Sequence, residues 1–355
     1  MTNPTLFTSL QTGPLNFKNR IFMAPMTRSR APKQVATDLM AEYYAQRASA
    51  GLIFTEGTQV SEAGVGYIGT PGIHSESQVE GWKKVTSAVH AKGGLIFAQL
   101  WHVGRVSHPD FHKGQLPVAP SAVAFEGQAY TPEGFKNVVA PRALSEAEIL
   151  ATVADFKKAA ESAKRAGFDG VEVHGANGYL PAQFLEDGSN KRTDQWGGTI
   201  ENRARFLLSI TDAAISVWGP ERVSVRISPR NPFNGMNDSN PEALYLYVAK
   251  ELQTRKVGIL HLMEGANFRD AGTDLAPKIR EVYHGTLILN NGYDQQTGET
   301  QVSKGLADAI AYGALFIPNP DLPERFAQKA QLNAPDHATF YGGDAKGYTD
   351  YSRLA

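Results

Sequence analysis

Short, β-branched apolar runs alternate along the chain with longer segments whose apolar residues recur at helical spacing, the pattern of repeated strand–helix units. The strand-like runs are Arg20–Pro25, Gly51–Glu56, Gly94–Leu100, Gly170–His174, Val223–Ser228, Gly258–Met263, Thr286–Asn290 and Ala309–Tyr312. Helical patterns lie between them, near Met40–Ala50, Gln78–Ala91, Glu146–Ala166, Ile200–Val217, Pro241–Arg255, Leu275–Val282 and Gln296–Gly305, with another beginning near Asp321. Several strand-like runs, such as LIFAQL and LIL, are apolar at nearly every position, as expected when both faces of a parallel sheet are covered. Eight such runs with intervening helices predict a closed (β/α)8 TIM barrel. A doubly wound open sheet is the rival, but it usually has fewer strands. No G-x-G-x-x-G opens a helix after the first strand, which disfavours a dinucleotide-binding Rossmann domain.

Two segments break the alternation. His102–Leu144, after the third strand, is rich in Pro, Gly and His, and Pro181–Gly198, after the fourth, carries Asn, Asp, Arg and a Gly-Gly pair. Both are long insertions following strand C-termini, where barrel enzymes place their chemistry. The stretch before Arg20 is expected to form a short cap over the opposite end. At 355 residues the chain is long for one domain, but barrels routinely run to this length, so residues 1–355 are read as a single barrel domain.

Composition narrows the function classes. Apolar residues make up 42% and charged residues 20%, an ordinary globular balance. A formal net charge of -1 argues against nucleic acid or an anionic membrane as a partner. No apolar run approaches the roughly 18 residues of a membrane span, and the N-terminal sequence does not read as a secretion signal. The absence of cysteine excludes disulfides and thiolate chemistry, and it fits a cytoplasmic location.

The strand ends are rich in neutral hydrogen-bonding groups and poor in carboxylates: MAPMTR, TEGTQ, AQLWHVGR, VEVHGANGYL, VRISP, HLMEG, LNNGY and YGALFIPNPDL. A metal hydrolase would show His-x-His or clustered acids. His102, His108 and His112 share one loop, but Pro109 and Gly114 disfavour a helix that would align them, so a wet loop is the better reading and no metal is expected. No lysine stands at a strand end for Schiff-base chemistry. Glu56 and Glu264 fall on distant strands and Glu172 should lie deeper, so the carboxylate pair of a retaining glycosidase is missing.

The sharpest feature is His174-Gly-Ala-Asn177-Gly-Tyr179 at the end of the fourth strand. Imidazole and amide can both donate to one carbonyl or nitro oxygen, and a nearby phenol can deliver a proton. Such donors polarise an unsaturated acceptor. A packed core histidine with a loop Asn and a packing Tyr is the alternative on this motif alone.

With the blocks KNRIFMAPMTRSRA, MAEYYAQRASAGLI, TPGIHS, FAQLWHVGRVSHP, AGFDGVEVHGANGYLPAQFL, NKRTDQWGGTIENRARFLL, VRISP, NPDLPERF and GYTDY in order, the chain resembles the old yellow enzyme family nearly end to end. The resemblance is to bacterial ene-reductases such as the N-ethylmaleimide, glycerol trinitrate and 2-cyclohexenone reductases. It implies an FMN-dependent oxidoreductase that takes electrons from NAD(P)H and reduces small activated alkenes: enones, enals, maleimides or nitroalkenes. Thr27 matches the residue that hydrogen-bonds the flavin C4 carbonyl, with Pro25 and Met26 supplying backbone contacts and Gly57 close to the ring. Gln99 and Arg226 match the residues at the pyrimidine edge, where a fixed cation stabilises the charge of the reduced ring. His174 and Asn177 match the donors to the substrate oxygen, and Tyr179 matches the proton donor to the α-carbon. The implied cycle is ping-pong: a nicotinamide reduces FMN, whose N5 then delivers hydride to the β-carbon. Tyr67, Trp101 and Tyr341 resemble pocket-lining aromatics.

The phosphate end departs from the family pattern. Where many relatives carry Gly-Gly-Tyr and Gly-Arg-Pro-Phe-Ile, this chain has Asn291-Gly292-Tyr293 and Gly313-Ala314-Leu315-Phe316-Ile317. Asparagine tolerates positive φ. Ala314 removes an arginine expected to clamp the phosphate, leaving backbone N–H groups at Asn291, Gly292, Gly313 and Ala314 for that purpose. The alternatives are therefore a diverged, ligand-binding barrel with weakened FMN retention, or a flavoenzyme acting on nitrate esters or quinones. Oligomeric state is not legible in the sequence.

Overall fold

The eight apolar runs do pair in parallel and close on themselves in the computed structural model, which describes residues 5–354. The strands in chain order are β1 (Leu10–Thr12), β2 (Leu15–Phe17), β3 (Ile21–Met23), β4 (Ile53–Gln59), β5 (Ile96–Trp101), β6 (Val118–Ala119), β7 (Gln128–Thr131), β8 (Gly134–Asn137), β9 (Arg142–Ala143), β10 (Gly170–Gly175), β11 (Val223–Ile227), β12 (Ile259–Met263), β13 (Thr286–Asn290) and β14 (Ala309–Tyr312). The barrel runs β3-β4-β5-β10-β11-β12-β13-β14 and back to β3, so each predicted strand has its place and the open sheet is excluded. The helices are α1 (Asp38–Gln46), α2 (Glu76–His90), α3 (Glu146–Arg165), α4 (Leu180–Leu185), α5 (Ile200–Trp218), α6 (Pro241–Thr254), α7 (Ala266–Asp270), α8 (Ala276–Val282), α9 (Gln295–Ser303) and α10 (Leu322–Gln328). Ser75 and Ser145 start α2 and α3 with reciprocal capping boxes, a local reason for both boundaries. Sequence periodicity missed α4 and α7, which are too short to show a period.

Side chains fill the barrel in layers. At the N-terminal end Phe22, Leu52, Phe54, Phe97, Ile259 and Ile288 form an apolar plug, closed from below by Leu15 and Phe17 of the β1–β2 hairpin. That hairpin is the expected cap; residues 1–4 of the cap segment lie outside the described residues. Higher up, the interior turns polar with Gln99, Glu172, Ser224, Arg226 and His261, all buried. Such a layer is tolerable only when its groups satisfy one another. Here Glu172 accepts from the Gln99 amide (2.9 Å), from the Ser224 hydroxyl (2.8 Å) and from His261 Nδ1 (2.9 Å). Burial opposes ionisation of Glu172, but His261 and Arg226 outweigh it and hold the carboxyl below its ordinary range.

The insertion after β5 is not a plain wet loop. It carries the β6–β9 pair and the β7–β8 hairpin, and His102 at its start is buried, its imidazole pushed down to about 3 by desolvation. His102 accepts from Gly104 N–H, His108 from Asp110 N–H, and His112 bonds the Ser107 hydroxyl. Each histidine thus serves the loop itself. At the other end of the chain, Arg28 and Arg30 donate to carbonyls of residues 339–347, and Tyr348 stacks on Tyr43 at 4.0 Å. This latch brings the C-terminal segment, with Tyr341, over the C-terminal face of the barrel.

Candidate active site

Arg226 stands in β11 opposite His174 of β10, so one register position couples the two halves of the site. Arg226 is buried, and its Nη2 donates to Asn290 Oδ1 (2.8 Å), whose own amide donates to Ala311 O (2.7 Å). Its Nε is buried without a protein partner. Burial pulls the guanidinium down and Glu172 opposes that, but an arginine stays charged at neutral pH. The charge faces a cavity of about 320 Å³ that also takes in Pro25, Asn291, Gly292, Gly313 and Ala314.

This cavity fits the phosphate and pyrimidine parts of a flavin mononucleotide. The orphaned Arg226 Nε needs an acceptor, as a buried donor costs about 1–3 kcal/mol when unsatisfied. Asn291 and Gly292 both adopt left-handed backbone, at φ 85° and 72°. At Gly313 an added Cβ would meet nothing closer than 3.6 Å, so protein packing does not demand glycine there; the space belongs to the cavity. Arg269 of α7 donates to the carbonyls of Asn291 (2.8 Å) and Gly292 (3.2 Å), stiffening this loop from outside. Gln99 gives its amide nitrogen to Glu172, which leaves its oxygen to accept from another donor.

Two residues beyond Pro25, Thr27 opens onto a second cavity of about 410 Å³ shared with Tyr67, Tyr179 and Tyr341. Thr27 is held there because Glu56, turned outward by a register shift in β4, accepts from Arg28 N–H (3.3 Å) and Tyr44 OH (3.3 Å). Tyr179 follows the two left-handed residues Asn177 and Gly178 (φ 57° and 72°), which swing its ring back to 5.0 Å from that of His174. Tyr67 OH lies 3.1 Å from Tyr179 OH. Trp101 does not line the cavity as expected. It is 1% exposed and packs behind it, stacked on Tyr67 and edge-on to Tyr179. Gly57 is also explained differently: a Cβ there would strike the Trp101 ring at 2.5 Å, so the glycine makes room for tryptophan within the protein. Met26 is partly buried on the core, near Gly313. Tyr341, 70% exposed, forms the rim.

The donor polarity of His174 is fixed locally. Ala176 N–H donates to Nδ1 (3.3 Å), which makes Nδ1 the acceptor and places the proton of a neutral ring on Nε2. Burial, then Arg226 and His261, push its pKa well down, so the ring is neutral at working pH.

Sequence reasoning missed several residues of the site. Tyr130, Phe135 and Phe233 line the outer cavity, and Ser228, Asn231 and Asn234 pin Asn177. The only signal was the length and the Pro/Asn content of the segments that carry them, which marks a functional loop without naming its residues.

Comparisons with known proteins identify the family and bear out the fold. Residues 5–333 match the model of the NADH:flavin oxidoreductase / NADH oxidase family. The chain belongs to that family. It is 42% identical to 12-oxophytodienoate reductase 1 of Oryza sativa subsp. japonica, across 98% of this chain and 93% of that protein. It is 44% identical to a probable flavin mononucleotide-dependent alkene reductase of Leishmania infantum, across 94% and 93%. The structure of morphinone reductase in complex with tetrahydroNAD superposes with a TM-score of 0.95 at 49% identity, over 99% of this chain and 98% of that one. The old yellow enzyme homologue from Zymomonas mobilis superposes with a TM-score of 0.95 at 45% identity, over 99% and 100%. As a member of this flavin oxidoreductase family the chain is an FMN enzyme on a TIM barrel, as its sequence suggested. Among its described residues no three His, Asp or Glu side chains gather as metal ligands, and no helix is long and apolar enough to cross a membrane.

Proposed function

We propose that this chain is an NAD(P)H-dependent ene-reductase that binds FMN along the Arg226 cavity and an activated alkene in the tyrosine-lined cavity beside it. The observation that carries this reading is the pairing of the His174 imidazole with the Tyr179 phenol, ring centroids 5.0 Å apart, with the Asn177 amide in the turn between them and Tyr67 OH 3.1 Å from the phenol on the tyrosine-lined cavity. Arg226, Gln99, Thr27, the Pro25–Met26 backbone and the 291–292 and 313–314 turns hold the cofactor. Bound FMN supplies the hydride chemistry, accepting from the nicotinamide and giving to the alkene. His174 Nε2–H and the Asn177 amide hold the carbonyl or nitro oxygen and draw charge onto it. Tyr179 gives its phenolic proton to the α-carbon, and Tyr67 stabilises the phenolate left behind by donating its own O–H. Water is restricted by the aromatic wall of Tyr67, Tyr130, Phe135 and Phe233. The need for a nicotinamide and the absence of cysteine support a cytoplasmic location.

The direct test is to titrate purified protein with FMN and follow NADPH and NADH oxidation under argon with 2-cyclohexenone, identifying cyclohexanone as product. Protein that binds no flavin in excess FMN and oxidises neither coenzyme would end this reading. Nitrate esters and quinones assayed alongside decide whether alkenes are the preferred acceptors.

A pH prediction arises from His174. An ordinary histidine gains charge as pH falls through about 6.5, but this one is held neutral by burial and by Arg226. The KM for 2-cyclohexenone should therefore stay flat from about pH 8 down to about 5.5. A break near the ordinary histidine value would show that His174 is not neutral in the folded enzyme.

A further inference from the structure

An amide can turn over and offer oxygen where it offered nitrogen, so Asn177 is a useful donor only if something fixes its orientation. We infer that Asn231, in the loop after β11, is the positioning residue that aims the Asn177 amide nitrogen at the substrate oxygen; this deepens the ene-reductase reading and rests on it. The argument follows hydrogen-bond polarity from a group that can only donate. Phe233 N–H donates to Asn231 Oδ1 at 3.2 Å, which places the amide nitrogen of Asn231 on the other side. That nitrogen donates to Asn177 Oδ1 at 3.0 Å. Its second neighbour, Met263 Sδ at 3.7 Å, is a weak acceptor and reinforces the same sense. With its oxygen turned to Asn231, the Asn177 amide has only N–H left to offer a ligand.

The backbone of Asn177 is pinned by the same loop. Its N–H donates to the Ser228 hydroxyl at 2.8 Å, and its carbonyl accepts from the Asn234 amide at 2.8 Å. The strained left-handed conformation at φ 57° is thus held from three sides. His174 and Asn177 arrive at the same polarity by different routes: one from Ala176 in its own turn, the other from Phe233 through Asn231 on a neighbouring strand's loop. The site consequently selects substrates whose activating group accepts hydrogen bonds, and it disfavours a donor such as a protonated amine at that position.

The test is Asn231→Asp. The new carboxylate can still accept from Phe233 N–H but cannot donate, so Asn177 turns its nitrogen towards it and its oxygen towards the substrate. The dissociation constant for 2-cyclohexenone, read from the perturbation of the bound flavin spectrum, should rise by about 10- to 100-fold, the cost of a lost and reversed hydrogen bond. FMN affinity and thermal midpoint should stay near those of the parent. Asn231→Ala, which removes the donor without adding charge, should weaken binding by about three- to tenfold and serves if the acidic variant does not fold. In an Asn177→His background the effect of Asn231→Asp should largely vanish, because the carboxylate favours the protonated ring and an imidazolium donates on both sides. A rise below twofold for both Asn231 variants overturns the inference, as does an undiminished rise in the histidine background. Failure of the parent protein to bind flavin or reduce the enone would instead sink the underlying reading.

Discussion

Replacement of Tyr179 by phenylalanine is expected to slow reduction of 2-cyclohexenone by about two to four orders of magnitude, the usual worth of a positioned general acid. Reduction of the flavin by nicotinamide, which needs no proton at that position, should change by less than about twofold. The structure explains why this phenol suits the task. Tyr179 is buried, and desolvation followed by the neighbouring Tyr67 raises its pKa well above the ordinary phenol value. It is therefore fully protonated at any working pH. A phenol that hard to ionise is a poor acid on its own; the Arg226 charge opposes the shift, and the Tyr67 hydroxyl at 3.1 Å is placed to turn its O–H towards the phenolate as it forms. Tyr67→Phe should accordingly give a smaller loss in the same half-reaction, about tenfold, from removal of one hydrogen bond to a charged group. Stopped-flow measurement of the two half-reactions separates these claims. Equal slowing of both in Tyr179→Phe would remove the tyrosine from the proton-transfer role and leave it as a wall of the cavity.

The barrel was legible in the sequence because parallel strands covered on both faces are apolar nearly throughout and alternate with segments of helical period. Tyr179, His174 and Asn177 were legible because six residues at one strand end hold all three. The supporting residues were not, for a physical reason. Asn231 and Asn234 act on Asn177 through a contact between loops more than fifty residues apart in the chain, which no periodicity records. Glu56 looked like a strand-end carboxylate, yet the register shift in β4 turns it outward to Arg28 and Tyr44. Trp101 and Gly57 resembled separate ligand contacts and turn out to fit each other. A motif states which groups lie together; it does not say which one faces the ligand.

Ala314→Arg is expected to tighten FMN binding by about 10- to 100-fold, corresponding to the 1.5–3 kcal/mol typical of a charge-assisted hydrogen bond. The phosphate end of the cofactor cavity offers backbone N–H groups at its two turns, but no basic side chain lines it beyond Arg226, which is tied to Asn290. The guanidinium of Arg269, beside the Asn291–Gly292 turn, is spent on the carbonyls of those two residues and on the Tyr293 ring, 3.9 Å away. Ala314 is exposed at the first position of a short 3-10 helix, so a longer side chain has room and no core packing is disturbed. Two controls show whether the gain comes from phosphate recognition. Riboflavin, which lacks the phosphate, should bind parent and variant alike. The FMN gain should also shrink as salt rises from about 0.05 to 0.5 M, because an exposed arginine is screened over that range. Turnover at saturating FMN should not change, since the substitution lies at the far end of the cofactor from Tyr179. A gain below twofold, or an equal gain for riboflavin, would mean that the backbone turns already satisfy the phosphate and that the missing arginine costs this enzyme nothing.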